Sequence, residues 1–171
     1  KCLWGGDLHA SWAFGFHAID SANFYRHQVR LSYTGPMAPG DIPGNVMVGK
    51  RITRNSTSFN WSVSPLFIAW WLYQNKGDLQ TARMFYEPMR HFLQYFKENA
   101  NEGIPHLTRL ADHAPPTGIK RESPNNDLIS ALNFFAAAKR FEKMARALSK
   151  EDDANWASDL AKTERLAVLR Y

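Results

Sequence analysis

The sequence lacks the residues and runs that would mark a disulfide-rich, metal-binding or membrane-spanning protein. It has one cysteine, Cys2, so no internal disulfide and no zinc cluster is predicted. His17 and Asp20 lie three residues apart, but with no third ligand nearby we predict no metal site. The longest strongly apolar run, residues 65–73, is far too short to span a membrane. No secretory signal is visible, yet the chain begins at Lys1, so we expect a processed or incomplete part of a longer polypeptide.

The net charge of +5 would suit a nucleic-acid partner, but the distribution of the charges argues against one. Lys and Arg are spread along the chain, and the densest patches, residues 139–140 and 143–146, alternate with Glu142 and apolar residues. Such alternation indicates a solvated helix face. We therefore expect no nucleic-acid partner.

Two N-glycosylation sequons bear on the cellular location of the protein. They begin at Asn55 and Asn60 and would suit a secreted eukaryotic protein. We expect a secreted or extracellular location, with a cytoplasmic one as the alternative.

Apolar residues recur at helical spacing along most of the chain, and no segment predicts a strand. Helices are predicted over residues 10–31, 64–75, 79–99 and 127–148, and from 153 onwards. The first would present one apolar face, made of Trp12, Phe16, Ile19, Phe24 and Leu31. Gly77 is expected to end the second helix and Asp78 to cap the third. The fold class is therefore all-α.

Short turns between helices alternate with two long irregular stretches, residues 35–49 and 101–125, where glycine or proline is frequent. We therefore expect helical hairpins whose long loops gather at one end, where sites are usually built. A bundle or a helical-repeat array would show the same alternation, although no repeat of fixed period is found.

The most informative segment is Trp4-Gly5-Gly6-Asp7, which leads into an aromatic-rich helix. It resembles the signature of the α-L-rhamnosidases of glycoside hydrolase family 78, which reads approximately Glu-Arg-x-Gly-Trp-Thr-Gly-Asp-Ala. Further landmarks follow in the family's order over essentially the whole chain: Phe24-Tyr25-Arg26, Gly40-Asp41-Ile42-Pro43, Asn60-Trp61, residues 68–73, Gly77-Asp78, Ala111-Asp112-His113 and residues 128–131.

The resemblance implies an (α/α)6 toroid, in which six helical hairpins surround an acidic central cleft. Residues 1–171 would form one partial domain, roughly the first half of the toroid. The exposed inner helix faces would then need the remainder of the catalytic domain or a partner chain. The substrates would be carbohydrates with terminal α-L-rhamnosyl groups, hydrolysed with inversion. The enzyme would need no cofactor.

The catalytic acid and base of an inverting glycosidase stand about 6.5–9.5 Å apart. Projected onto this chain, the family's acid falls just ahead of Lys1 and its base lies beyond Tyr171, so the visible chain lacks both. The alternative to an enzyme is thus an inactive relative that binds glycans or assembles with other chains. A third hypothesis, a helical scaffold unrelated to sugars, predicts that Asp7, Trp61 and Asp112 are scattered rather than gathered in one cleft.

One residue of this chain is assigned to the catalytic centre by the resemblance. Asp7 matches the motif aspartate that holds the sugar and helps to set the electrostatics near the acid. On local pattern alone, an aspartate just before an amphipathic helix favours a helix N-cap.

The resemblance also predicts five substrate-binding residues: Trp4, His9, Trp61, Asp112 and His113. Trp4 would stack on the sugar or anchor the entry loop, and His9 would line the cleft or be a satisfied buried histidine. Asp112 would bond sugar hydroxyls or be an exposed loop residue, and His113 replaces the family's usual aromatic. Two residues after Trp61 the family has an aspartate, but this chain has a valine, so any sugar contact from that position is lost.

Overall fold

The computed structural model describes residues 2–34, 45–47, 59–105 and 126–170. These residues form helices and two short antiparallel ribbons. The helices are α1 (Gly5–Ala18), α2 (Ala22–Tyr33), α3 (Phe59–Ser62), α4 (Ser64–Lys76), α5 (Leu79–Met84), α6 (Tyr86–Glu98), α7 (Asn126–Ala147) and α8 (Glu151–Val168). The strands are β1 (Cys2–Trp4), paired with β2 (Asn45–Met47), and β3 (Ala100–Asn101), paired with β4 (Ile104–Pro105).

Helices α1, α4 and α7 form one row, which we call the first row. Trp12 of α1 stacks on Trp71 of α4, with 3.7 Å between the ring centres. The guanidinium of Arg140 from α7 lies 4.1 Å from the ring centre of Phe67, one helical turn before Trp71. Helix α4 therefore contacts both α1 and α7 as the middle member, which explains why residues 64–72 are buried except for the partly buried Trp70.

Helices α2, α5, α6 and α8 form a second row behind the first. Arg26 of α2 pairs with Asp78 at the start of α5 at 2.5 Å, and Arg90 of α6 pairs with Asp153 of α8 at 2.7 Å. Each hairpin of the described chain thus places one helix in each row, as the expected alternation of hairpins requires.

The space between the rows is filled by aromatic rings around Phe59. Its ring centre lies 5.5 Å from that of Phe92, 4.7 Å from that of Phe96 and 5.1 Å from that of Phe134. All four side chains are fully buried. Together they join the short helix α3 to α6 and α7.

The first predicted helix, residues 10–31, is wrong as a single element. The helical conformation is interrupted at residues 19–21, where Asp20 and Ser21 have lower helix propensity than alanine or leucine. Because the helical phase restarts after the break, Ile19 and Phe24 are exposed rather than buried. Helix α2 instead buries Tyr25 and Val29.

The other helix predictions are confirmed, with one interruption. The helix predicted over residues 79–99 is divided at Phe85 into α5 and α6, yet the residues that its spacing placed on one apolar face are all buried: Ala82, Phe85, Met89, Phe92, Leu93 and Phe96. Gly77 ends α4 in the left-handed conformation with φ 66°, and the Asp78 carboxylate accepts the Thr81 N–H at 3.0 Å. Burial would raise the pKa of Asp78, but hydrogen bonds from Arg26 and Thr81 outweigh it and lower the pKa.

The prediction that no segment forms a strand is also wrong. The four strands have only two or three residues each, too few for an alternating pattern to be visible in the sequence. These two short antiparallel pairs leave the all-α class unchanged.

Two edges of the described structure expose large apolar side chains. Phe14 of α1 is 74 % exposed, and Leu166 and Leu169 near the end of α8 are 61 % and 66 % exposed. These residues lie at opposite ends of the chain. Such surfaces normally mark contacts with further protein.

A carboxyl group is buried where α8 meets the β3–β4 turn. Glu164 is 2 % exposed, and its Oε2 atom has no hydrogen-bond partner among the described residues. Gly103 lies beside it: a Cβ built there would stand 2.9 Å from the Cβ of Ala167 and 3.5 Å from Glu164 Oε2. Burial raises the pKa of Glu164 to about 8, although Arg170 opposes the shift.

We predict that Glu164 makes the fold less stable as the pH rises. Its pKa is about 8 when folded and about 4.3 in an unfolded chain. The folded state therefore binds one more proton between these values, and stability falls from pH 5 towards pH 8. Glu164→Gln should remove this loss, as measured by thermal unfolding at pH 5 and 8.5. The matched control is Glu102→Gln, at an exposed position next to Gly103; an unchanged pH dependence in Glu164→Gln would contradict the assignment.

Candidate functional site

The predicted sugar-binding box lies where β1 runs directly into α1. Only the backbone of Trp4 is described, and it ends β1 opposite Asn45. Asp7 is the third residue of α1 and is exposed, so it lies in the first helical turn rather than at the N-cap. A carboxylate in this turn is stabilised by the helix dipole and remains accessible to a ligand.

Trp61 packs directly against this box. A Cβ built on Gly6 would lie 3.0 Å from Cε3 and 3.1 Å from Cδ2 of the Trp61 indole, so only glycine fits without displacing the ring. The Ser64 hydroxyl donates a hydrogen bond to the Gly5 carbonyl at 2.6 Å. Helix α3 and the start of α4 are thereby fixed to the first turn of α1, next to Asp7.

A polar network holds the other side of α3. The Asn60 amide donates to Ser130 Oγ at 3.1 Å and accepts from the Asn133 amide at 3.0 Å. Ser130 is fully buried, whereas Asn60 and Asn133 are partly exposed, so the network lies at the edge of the core. The starts of α1, α4 and α7 therefore lie at the same end of the first row, with Trp61 between them.

His9 lies one step deeper, among aromatic rings. Its imidazole meets Phe67 edge-on, 4.8 Å between ring centres, and lies 5.7 Å from Trp71. Burial lowers the pKa of His9, and the nearby positive charge of Arg140 lowers it further. The neutral ring is therefore the dominant form at pH 7. Its half-buried position leaves both of its predicted roles open.

The last two predicted residues lie outside the described part of the chain, and the position where the family has an aspartate lies in the core. Asp112 and His113 lie outside the described residues, so their convergence with Asp7 and Trp61 stays a prediction. Val63 is fully buried, so this position faces the core rather than a ligand. Within the part of the chain that the structure describes, no three His, Cys, Asp or Glu residues are grouped to hold a metal ion. No helix in those same ranges is long and apolar enough to cross a membrane.

Sequence reasoning missed two contributors to this region. The Asn60–Ser130–Asn133 network joins residues about seventy positions apart, and no local sequence pattern predicts such a contact. Arg140 was included in a solvated helix face, but it lies on Phe67 and is only partly exposed. Its spacing from Glu142 was the available signal: residues two apart on a helix do not face each other.

The described helices are paired in two rows, with Asp7 and Trp61 at one end of the first row, and this arrangement defines the class of helical-hairpin folds. The sequence profile of the bacterial alpha-L-rhamnosidase 6 hairpin glycosidase domain matches residues 1–168. The chain belongs to this family. A curated relative, an alpha-L-rhamnosidase of Formosa agariphila, is 23 % identical over 148 residues, which cover 79 % of this chain and 15 % of that protein.

Two solved structures share the fold. The alpha-L-rhamnosidase of Dictyoglumus thermophilum superposes with a TM-score of 0.88 and 24 % identity, covering 98 % of this chain and 19 % of that one. The alpha-L-rhamnosidase of Streptomyces avermitilis, complexed with L-rhamnose, superposes with a TM-score of 0.79 and 20 % identity, covering 96 % and 15 %. The chain thus spans less than a fifth of the length of these relatives, and its all-α fold is that of part of a six-hairpin toroid.

We predict that Gly6→Ala destabilises the contact between α1 and α3. The added methyl group would displace the Trp61 indole, and such overpacking costs about 1–3 kcal/mol. The measurement is chemical unfolding of the polypeptide that carries this chain.

Trp61→Phe provides the matched test, because a smaller ring makes room for the methyl group. The double variant should be more stable than the sum of the two single changes predicts. If the two changes in unfolding free energy are strictly additive, or if Gly6→Ala is more stable than the wild type, Gly6 and Trp61 are not in close contact and the prediction fails.

We also predict that folded molecules carry no glycan at Asn60. The Asn60 amide nitrogen is bonded to Ser130, and Ser62 of the same sequon is 1 % exposed. A glycan added to the unfolded chain would prevent α3 from packing on α7. After expression through a eukaryotic secretory pathway, mass spectrometry of the secreted fraction should find Asn60 unmodified. A glycan on Asn60 in correctly folded protein would contradict the described network.

Proposed function

We propose that this chain is part of an inverting α-L-rhamnosidase-like enzyme that removes terminal α-L-rhamnosyl groups from glycosides or polysaccharides. The observation that carries the proposal is the Trp4–Asp7 box at the start of α1, with Trp61 packed on its Gly6. An exposed carboxylate beside an indole ring offers a sugar both hydrogen-bond acceptors and an apolar stacking surface. Membership of the six-hairpin rhamnosidase family supports this use of the site.

The catalytic acid and base are proposed to come from the rest of the polypeptide or from a partner chain. In this scheme Asp7 acts by holding the sugar and by its negative charge, which favours the positively charged, oxocarbenium-like transition state. The exposed apolar edges at Phe14 and Leu166 support a larger assembly, because further hairpins would cover them.

A secreted or extracellular location is proposed alongside this activity, on the basis of the sequons at Asn55 and Asn60. Fractionation of the native source, with antibodies against the full polypeptide, tests the location independently of activity. Recovery from the cytoplasm alone would refute it.

The decisive prediction concerns Asp7→Asn. Loss of the carboxylate charge should lower kcat/KM on an aryl α-L-rhamnoside by about 10²–10³-fold, the usual effect of removing one preorganised electrostatic group. The first product seen by NMR should be β-L-rhamnose, as inversion requires. Asp20→Asn is the matched control, because Asp20 is an exposed aspartate just beyond the same helix.

The same assay separates the proposal from its alternative. If the full polypeptide binds L-rhamnose but hydrolyses no rhamnoside, the inactive glycan-binding relative is the correct description. If it neither binds nor hydrolyses, both fail.

A further inference from the structure

Helix α7 carries two sets of positive side chains with different surroundings. Lys139 and Arg146 both pair with Glu142, at 2.6 Å and 3.5 Å. Arg140 and Lys143 have no carboxylate within ion-pair distance in the described ranges, and instead lie on aromatic rings of α4. The second set therefore faces α4, the neighbouring helix in the first row.

Arg140 is the more enclosed of these two cations. Its guanidinium lies 4.1 Å from the ring centre of Phe67 and 6.0 Å from that of Trp71. Burial lowers its pKa, which shows that the charged form has lost part of its hydration. The guanidinium nevertheless stays charged, with planar N–H donors that an anion would satisfy.

The neighbouring helices do not supply that anion. Helices α1 and α4 contain a single carboxylate, Asp7, and none of the carboxylates in the described part of the chain forms an ion pair with Arg140. His9, the nearest titratable neighbour, has its own pKa lowered by burial and by Arg140, so it adds no negative charge. Lys143, 5.3 Å from the Trp70 ring, adds positive potential one turn away. Within the described ranges, the charged side chains that lie on the aromatic rings of α4 are therefore both positive, Arg140 and Lys143.

We propose that Arg140, flanked by His9 and supported by Lys143, binds an anionic group on the saccharide substrate: the carboxylate of a uronate or a sulfate ester. Arg is suited to this task because its fork can bond two oxygens of one anion. Contacts with the rings of Phe67 and Trp71 hold the guanidinium in place. The inference rests on the proposed function, and it narrows the substrate class from rhamnosides in general to acidic ones.

The experiment uses the full polypeptide that carries this chain and three probes: a rhamnosyl uronate disaccharide, the matching neutral rhamnosyl hexose and its sulfated form. Binding is measured by calorimetry and hydrolysis by release of rhamnose. The variants are Arg140→Gln, which removes the charge, and Arg140→Lys, which keeps the charge but loses the fork. Arg146→Gln is the matched control on the same helix, because Arg146 is paired with Glu142.

We expect the wild type to bind one of the acidic probes about tenfold or more tightly than the neutral one, because charge-assisted hydrogen bonds are strong. Arg140→Gln should abolish that preference and leave the neutral probe unaffected, whereas Arg146→Gln should change neither. Arg140→Lys should retain part of the preference. Preference for the uronate identifies a carboxylate as the ligand, and preference for the sulfated probe identifies a sulfate.

Equal affinity for acidic and neutral probes in the wild type would overturn the inference while leaving rhamnoside hydrolysis intact. A variant that loses both probes together, with a lowered unfolding temperature, would also overturn it, because Arg140 would then be paired with a carboxylate elsewhere in the polypeptide. If no rhamnoside is hydrolysed but Arg140→Gln still abolishes the tighter binding of the acidic probe, the inference is supported and the proposed hydrolase activity is refuted.

Discussion

The burial of the Phe59 ring is the interaction on which the candidate site depends. Helix α3 has only four residues and would not be stable alone, because its few hydrogen bonds do not offset the unfavourable free energy of helix nucleation. It is held by ring contacts with Phe92, Phe96 and Phe134, which belong to two different helices. The next residues, Asn60 and Trp61, are thereby presented to α7 and α1. A core contact thus sets the position of a side chain that is itself outside the core.

The sequence predicted helices best where apolar spacing was long and uninterrupted. The buried face of residues 79–99 was correct even though Phe85 divides the helix, because the apolar phase continues across the division. The break at residues 19–21 was missed, since Asp20 and Ser21 are also tolerated inside helices. Strands of two or three residues leave no periodic trace.

The candidate site was predicted in part. The Trp4–Asp7 box was found through its resemblance to a family. The helix that follows it was predicted to begin at residue 10, but it begins at Gly5, inside the box. Its contact with Trp61 could not be predicted, because nothing in a one-dimensional pattern states that Gly6 must lack a side chain. The two faces of α7 show the same limit: a mixture of charges describes Lys139 and Arg146 correctly, yet conceals that Arg140 points to the aromatic side.

The exposed edge of α1 has a consequence for synthesis. Phe14 is exposed in the described structure, and in the proposed toroid further hairpins cover it. Because a chain is synthesised at about 5–20 residues per second, such a side chain stays in contact with water until the hairpin that covers it has been made and has folded. Exposed apolar surface of this kind can form non-native contacts in the meantime. In the proposed toroid, closure of the ring rather than formation of a single hairpin therefore ends the exposure of this surface.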